Sequence, residues 1–158
     1  MTDSPRAGGG TPAVTLRDLI PTRVVIVTPE TTMAGAAAAM VRARAGSAVV
    51  VQASFLAGIV TKWDMLRASA SGEDPSRSVV SEWMTPDPQS VSPDTPAEDA
   101  VQIMLRQGFH HLPVLEGKEV RGVIRLRDLL AARIHRPAAP AAAPADAAPG
   151  DAGPAAGR

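Results

Sequence analysis

The chain has 158 residues, with 16 Lys+Arg against 16 Asp+Glu, no cysteine and only four aromatic residues, two Phe and two Trp. A zero balance lacks the overall positive field that non-specific nucleic-acid binding needs. The absence of cysteine excludes a disulfide framework, a thiol nucleophile and any Cys-ligated zinc or iron–sulfur site. The chemistry that remains is carboxylate, hydroxyl, imidazole and guanidinium.

Taken in chain order, residues 1–13 carry Gly8-Gly9-Gly10-Thr11-Pro12 and read as a disordered start. They lack the apolar run of a signal peptide, and no later apolar stretch approaches the length needed to cross a bilayer, so a soluble, cytoplasmic protein is expected. Residues 16–20 read as a short lead helix. A strand over 24–27, a helix over 33–44, strands over 48–51 and 56–60 and a helix from Lys62 to about Ala68 follow. Residues 71–78, including Ser71-Gly72-Glu73-Asp74-Pro75-Ser76, form a polar linker, and 79–84 a second lead helix. The next helix start is a capping box, with Thr95 as N-cap, Pro96 at the first helical position and Glu98 three residues after the cap. Ala100, Val101, Met104 and Leu105 recur at helical spacing, and Gly108 ends the helix. Two apolar runs, 111–115 and 120–124, flank Glu116-Gly117-Lys118-Glu119 and predict a hairpin. Leu126, Leu129, Leu130 and Ile134 form a last amphipathic stripe. Residues 137–158 hold 11 Ala, 5 Pro and 3 Gly and are expected to stay disordered.

Sliding the sequence by 64 residues explains this order. Val27, Pro29, Thr31, Ala36, Met40, Arg42, Val50, Gly58, Asp64 and Leu66 fall on Val91, Pro93, Thr95, Ala100, Met104, Arg106, Val114, Gly122, Asp128 and Leu130, ten identities over positions 27–66. The chain is a duplicated strand-helix-strand-strand-helix unit, with copies over 14–70 and 79–136. A unit of some fifty residues buries too little surface to stand alone, so the copies should pack on each other.

The residues in these copies carry a family resemblance. Trp83-Met84-Thr85-Pro86, Val91-Ser92-Pro93-Asp94-Thr95, Gly108-Phe109-His110-His111-Leu112-Pro113-Val114 and Gly122-Val123-Ile124 up to Asp128 resemble a CBS domain. So do Gly46-Ser47-Ala48-Val49-Val50-Val51 and Gly58-Ile59-Val60-Thr61-Lys62-Trp63-Asp64 in the first copy. The resemblance implies an α/β (α+β) fold, two tandem β-α-β-β-α motifs packed sheet to sheet as one pseudo-symmetric module (a Bateman module), and dimerisation. It also implies clefts for adenosine-containing ligands such as AMP, ADP, ATP or S-adenosylmethionine, regulation of a partner protein, and no catalysis.

The resemblance places a ribose site at Thr61 and Asp64, with Ser47, Ala48 and Val49 beside it. A carboxylate accepts two hydrogen bonds from a vicinal diol, and a hydroxyl at a helix N-terminus sits where phosphate is favoured. The same Thr-x-x-Asp also reads as a helix-stabilising capping box with no ligand. In the second copy Arg125 stands where the hydroxyl belongs, followed by Leu126, Arg127 and Asp128. Either this cleft takes phosphate through Arg125, Arg127, His110 or His111, or Arg125 pairs with Asp128 and closes it. It ranks below the first as a ligand site. Residues 118–136 carry six Lys or Arg against two acidic residues.

Adjacent strand residues point to opposite faces, so His110-His111 should not chelate one ion, and one of the pair should be packed and the other solvated. No metal is expected. Met33, Met40, Met65, Met84 and Met104 read as core filler. Trp63 and Trp83 read as stacking or covering groups, and Phe55 and Phe109 as packing. No carboxylate pair, nucleophile with base or Gly-rich phosphate loop appears at useful spacing, and no helix-turn-helix pattern appears. Two functions therefore compete: a ligand-sensing regulatory module, and a ligand-free dimerising scaffold.

Overall fold

Each copy alternates small aliphatic residues at period two along its hairpin, which gives both faces of a short sheet something to bury. The computed structural model describes residues 14–21 and 23–134; the disorder expected of 1–13 and 137–158 lies outside them, as do the side chains of Arg133 and Ile134. A 3-10 turn over Leu16–Asp18 precedes β1 (Ile26–Val27), α1 (Met33–Ala43), β2 (Ser47–Gln52), β3 (Phe55–Thr61) and α2 (Lys62–Ala70). Then come α3 (Val80–Trp83), β4 (Thr85–Pro86), α4 (Ala97–Gln107), β5 (His111–Glu116), β6 (Glu119–Arg125) and α5 (Leu126–Ile134). The first sheet has the order β1-β2-β3-β4, and the second is the β5-β6 hairpin.

The duplication is reproduced down to its irregularities. Ser47 pairs with Thr61 and His111 with Arg125, and both hairpins shift register at the same place, after Val50 and after Val114. The first strand of the second copy shrinks to one parallel bridge, Val91 with Val114. Helix α1 is capped by Thr32, whose hydroxyl accepts the Gly35 N–H at 3.1 Å. The capping box expected at Thr95 does not form, because α4 begins at Ala97 and Pro96 occupies the N-cap without a side-chain bond. Pro96 is the counterpart of Thr32, so the second copy has lost the capping hydroxyl. Gly108 does end α4, at φ 74°, while its counterpart Arg44 ends α1 at φ 51°, a left-handed conformation costly for a residue with a Cβ.

Burial follows the alternation. Ala48, Val50 and Val60 join Met33, Ala36 and Met40 in a first core, and Leu112, Val114 and Ile124 join Ala100, Val101 and Met104 in a second. Residues on the opposite faces, Val49, Ile59 and Val123, meet between the two sheets in a third cluster. The copies therefore pack sheet to sheet.

The lead segments cross over. Leu16 N–H donates to Thr95 O (3.0 Å), Arg17 N–H to Pro93 O (2.8 Å), and Ala97 N–H to Val14 O (2.9 Å). The counterparts, 64 residues apart, are Val80 N–H to Thr31 O (2.8 Å), Ser81 N–H to Pro29 O (3.0 Å), and Met33 N–H to Ser78 O (2.9 Å). Leu16 thus lies in the second core and Val80 in the first. Each lobe is completed by the segment that precedes the other copy in sequence. Close approach seals both crossings: a Cβ on Gly58 would sit 2.5 Å from Met84 Sδ, and one on Gly122 2.6 Å from Ile20 Cγ2. Leu16 is fully buried, so Leu16→Ala is expected to cost about 2–5 kcal/mol in urea unfolding, as core leucines do. A cost within ~0.5 kcal/mol, the surface range, would contradict the crossing.

Candidate ligand site

Packing the sheets face to face leaves two cavities where the C-terminal ends of β3 and β6 meet the loops of the opposite copy. The first, about 490 Å³, is walled by Ile59, Thr61 and Trp63 from the first copy, residues 85 and 87–89 beyond it, and Gly108 to His111 from the second. The volume falls within the range of small-molecule sites. Its wall is apolar at Ile59, Trp63 and Phe109 and polar at Thr61, Asp87 and Gln89. Trp63 is largely exposed, whereas Phe109 also packs on the second core.

At the β3–α2 junction the carboxylate of Asp64 is buried, 5% exposed. Its Oδ2 accepts the Thr61 N–H (2.8 Å) and the Thr61 hydroxyl (2.7 Å), and its Oδ1 accepts from Arg67 (3.1 Å). Asp64 therefore stands directly behind Thr61 and outside the cavity lining, doing the helix-capping work that Thr-x-x-Asp also predicts. Because the Thr61 proton is committed to Asp64, its oxygen keeps its lone pairs as acceptors. Ser47 pairs with Thr61 across the sheet, Ala48 is in the first core and Val49 lies between the sheets. None of these three side chains lines the cavity; the adjoining Gly46 does.

The second cavity, about 480 Å³, is lined by Arg44, Gly46, Lys62, His110, His111, Arg125, Leu126, Arg127 and Leu130. Arg125 grips Asp128 in a fork, Nε to Oδ2 at 2.5 Å and NH2 to Oδ1 at 3.0 Å, with Arg127 Nε 3.6 Å from Oδ1. The pairing that would close the cleft is present, yet the cleft stays open beside it. The alternation expected of His110-His111 does not apply, since β5 begins at His111. His110 is exposed and His111 half-buried, and both line both cavities. Burial, and then the charges of His110, Arg125, Lys62 and Arg127, hold the His111 imidazole below its ordinary pKa. Among the described residues no group of three or more His, Asp or Glu is arranged for a metal ion.

Several groups at the site were not singled out by sequence: Arg44, Lys62, Asp87 and Gln89. Arg44 had a signal, since it replaces the glycine its counterpart uses, and Lys62 replaces the apolar Leu126. Trp83, by contrast, leaves the site. Its Nε1–H donates to Ser78 Oγ at 2.8 Å, and Arg67 lies over its ring at 5.7 Å. Phe55 is half-exposed, with the Lys118 ammonium 4.6 Å above its ring.

Comparison with known proteins agrees with this architecture. The CBS domain model matches residues 14–71 and 80–135. The chain belongs to the CBS-domain family, as a tandem pair. It is 33% identical over 115 residues to the CBS domain-containing protein YhcV of Bacillus subtilis, covering 72% of this chain and 81% of that protein. The crystal structure of the CBS domain NE2398 superposes with a TM-score of 0.72 at 27% identity, over 77% of this chain and 98% of that one. Two structures with ligands share the fold. The CBS domain pair of MJ0100, in complex with 5-methylthioadenosine and S-adenosyl-L-methionine, has a TM-score of 0.72 at 19% identity, over 78% of this chain and 98% of that one. CBSX2 in complex with AMP has 0.66 at 24%, over 77% and 96%.

A depressed His111 gives the fold a pH signature. An unfolded chain titrates this imidazole near its ordinary value of about 6.5 and so binds more protons than the folded chain as pH falls through that value. Stability is expected to decline between about pH 7 and pH 5, and His111→Gln to flatten the decline in urea titrations. Equal slopes for both proteins would contradict the assignment.

Proposed function

We propose that the chain is a regulatory module that binds an adenosine-containing ligand (AMP, ADP, ATP or S-adenosylmethionine) in the first cavity and signals through a partner protein. The observation that carries this reading is the Thr61–Asp64 pair, which presents a fixed acceptor oxygen at the wall of a cavity whose apolar side is formed by Ile59, Trp63 and Phe109. In this reading the base lies against the apolar wall and a ribose hydroxyl donates to Thr61. Asp64 positions that oxygen rather than facing the ligand. Neighbours of the same fold that hold AMP or S-adenosyl-L-methionine support it.

We further assign a homodimer across the helical face. Val41, Leu66, Leu105 and Leu130 are 76%, 58%, 59% and 40% exposed. They form two pairs of counterparts 64 residues apart, so the pseudo-symmetry of the chain gives this face matching apolar groups from both copies. A second chain is the natural cover for such a self-complementary patch.

The competing scaffold role is favoured by the Arg125–Asp128 pair, which occupies the acidic group of the second cleft. Calorimetric titration of the purified chain with AMP, ADP, ATP and S-adenosylmethionine separates the two. At least one should bind below millimolar, and Thr61→Val should weaken it by roughly tenfold, the worth of one hydrogen bond. If none binds, the scaffold reading takes its place. The double variant Val41→Glu/Leu105→Glu should sediment as a monomer where the parent is a dimer; an unchanged mass would place the dimer contact elsewhere.

A further inference from the structure

The two cavities adjoin: Gly46, Lys62, His110 and His111 line both and form a shared wall. That wall is closely packed at a glycine, since a Cβ at Gly46 would lie 2.8 Å from His111 Nε2. On one side the lining is largely apolar. On the other it is cationic, with Arg44, Lys62, Arg125 and Arg127 against the single carboxylate of Asp128, which stands behind Arg125. The repeat makes the asymmetry legible, because all four of these cations replace residues of different chemistry in the other copy. Arg125 stands for Thr61, Arg127 for Trp63, Arg44 for Gly108 and Lys62 for Leu126.

Resting on the reading that the first cavity takes an adenosine-containing ligand, we infer that the second cleft of this chain is a phosphate subsite of the first rather than a second nucleoside site. Each chain then holds one nucleotide, with its base and ribose in the first cavity and its polyphosphate across the shared wall. The second cleft has no hydroxyl in the Thr61 position to receive a ribose. What it offers instead are guanidinium forks, the geometry suited to phosphate. Asp128 orients Arg125 through Nε and one hydrogen of NH2, leaving three of its five N–H donors for a second partner. Arg44, held left-handed where its counterpart is glycine, is the kind of strained residue that persists at binding sites. The same charges discriminate among adenosine ligands. A triphosphate is favoured over a diphosphate and a diphosphate over a monophosphate, while S-adenosylmethionine, carrying a sulfonium, is repelled.

His111 sits at the shared wall, and the groups around it are His110 from its own loop, Lys62 of α2, Arg125 of β6, Arg127 of α5 and Arg44 after α1. Burial first, and then these charges, hold the imidazole below its ordinary pKa, and a polyphosphate drawn among them offsets the second of the two. Binding of ATP is thus coupled to proton uptake.

The test is calorimetry on the full chain with adenosine, AMP, ADP, ATP and S-adenosylmethionine, repeated in two buffers of different ionisation enthalpy. One ATP per chain is expected, bound at least roughly tenfold more tightly than AMP, with proton uptake that His111→Gln abolishes. Arg44→Asn and Arg127→Gln alter exposed side chains. Each should weaken ATP by roughly tenfold while leaving adenosine within about twofold. Two ATP molecules per chain, equal affinity for AMP and ATP, or an ATP affinity indifferent to both variants would overturn the phosphate subsite while leaving the adenosine site standing. Failure of every adenosine-containing ligand to bind, adenosine included, would overturn the underlying reading and this inference with it.

Discussion

The constraint on which the rest of the structure depends is the crossed docking of the lead segments. Leu16 completes the core built by the second copy and Val80 the core built by the first, each held by the same three backbone hydrogen bonds. Neither lobe is a contiguous piece of chain. Hydrophobic burial, the dominant favourable term in folding, is therefore shared between halves that are too small to be comfortable alone. Sheet-to-sheet contact at Val49, Ile59 and Val123 then follows, and with it the seam in which both cavities lie.

That seam explains how a neutral, cysteine-free chain of small aliphatic residues carries a locally cationic cleft. Total charge sums to zero, but the fold gathers Arg44, Lys62, Arg125 and Arg127 from both copies at one point and leaves most acidic groups elsewhere. Asp94 and Glu116, for example, are engaged by Arg17 on the outside. Duplication supplied two equivalent clefts. Divergence at a few positions made them chemically unequal, one apolar with a fixed hydroxyl and one cationic.

Much of this was legible in the sequence, and the exceptions have physical causes. Ten identities at one spacing gave the duplication, and Gly108 gave the end of α4, because left-handed caps favour glycine. The Thr95 capping box misled because Thr-Pro-x-Glu matches a local pattern, whereas the repeat aligns the capping Thr32 with Pro96. The crossing was not legible, since a repeat states which segments are equivalent and not which lobe each docks upon. Asp64 carried two meanings in sequence, and the burial of its carboxylate against Thr61 shows the capping role. Arg44 and Lys62 were not legible because charges near helix ends are ordinary; His110 and Arg125, which line the same cavity, lie 48 or more residues away in sequence.

The most direct measurement of the central claim is the identity of the small molecule released when freshly purified protein is denatured, read by mass spectrometry. The proposed ligand-sensing role predicts an adenine nucleotide bearing more than one phosphate, at no more than one per chain. Release of S-adenosylmethionine or of two nucleotides per chain would contradict it.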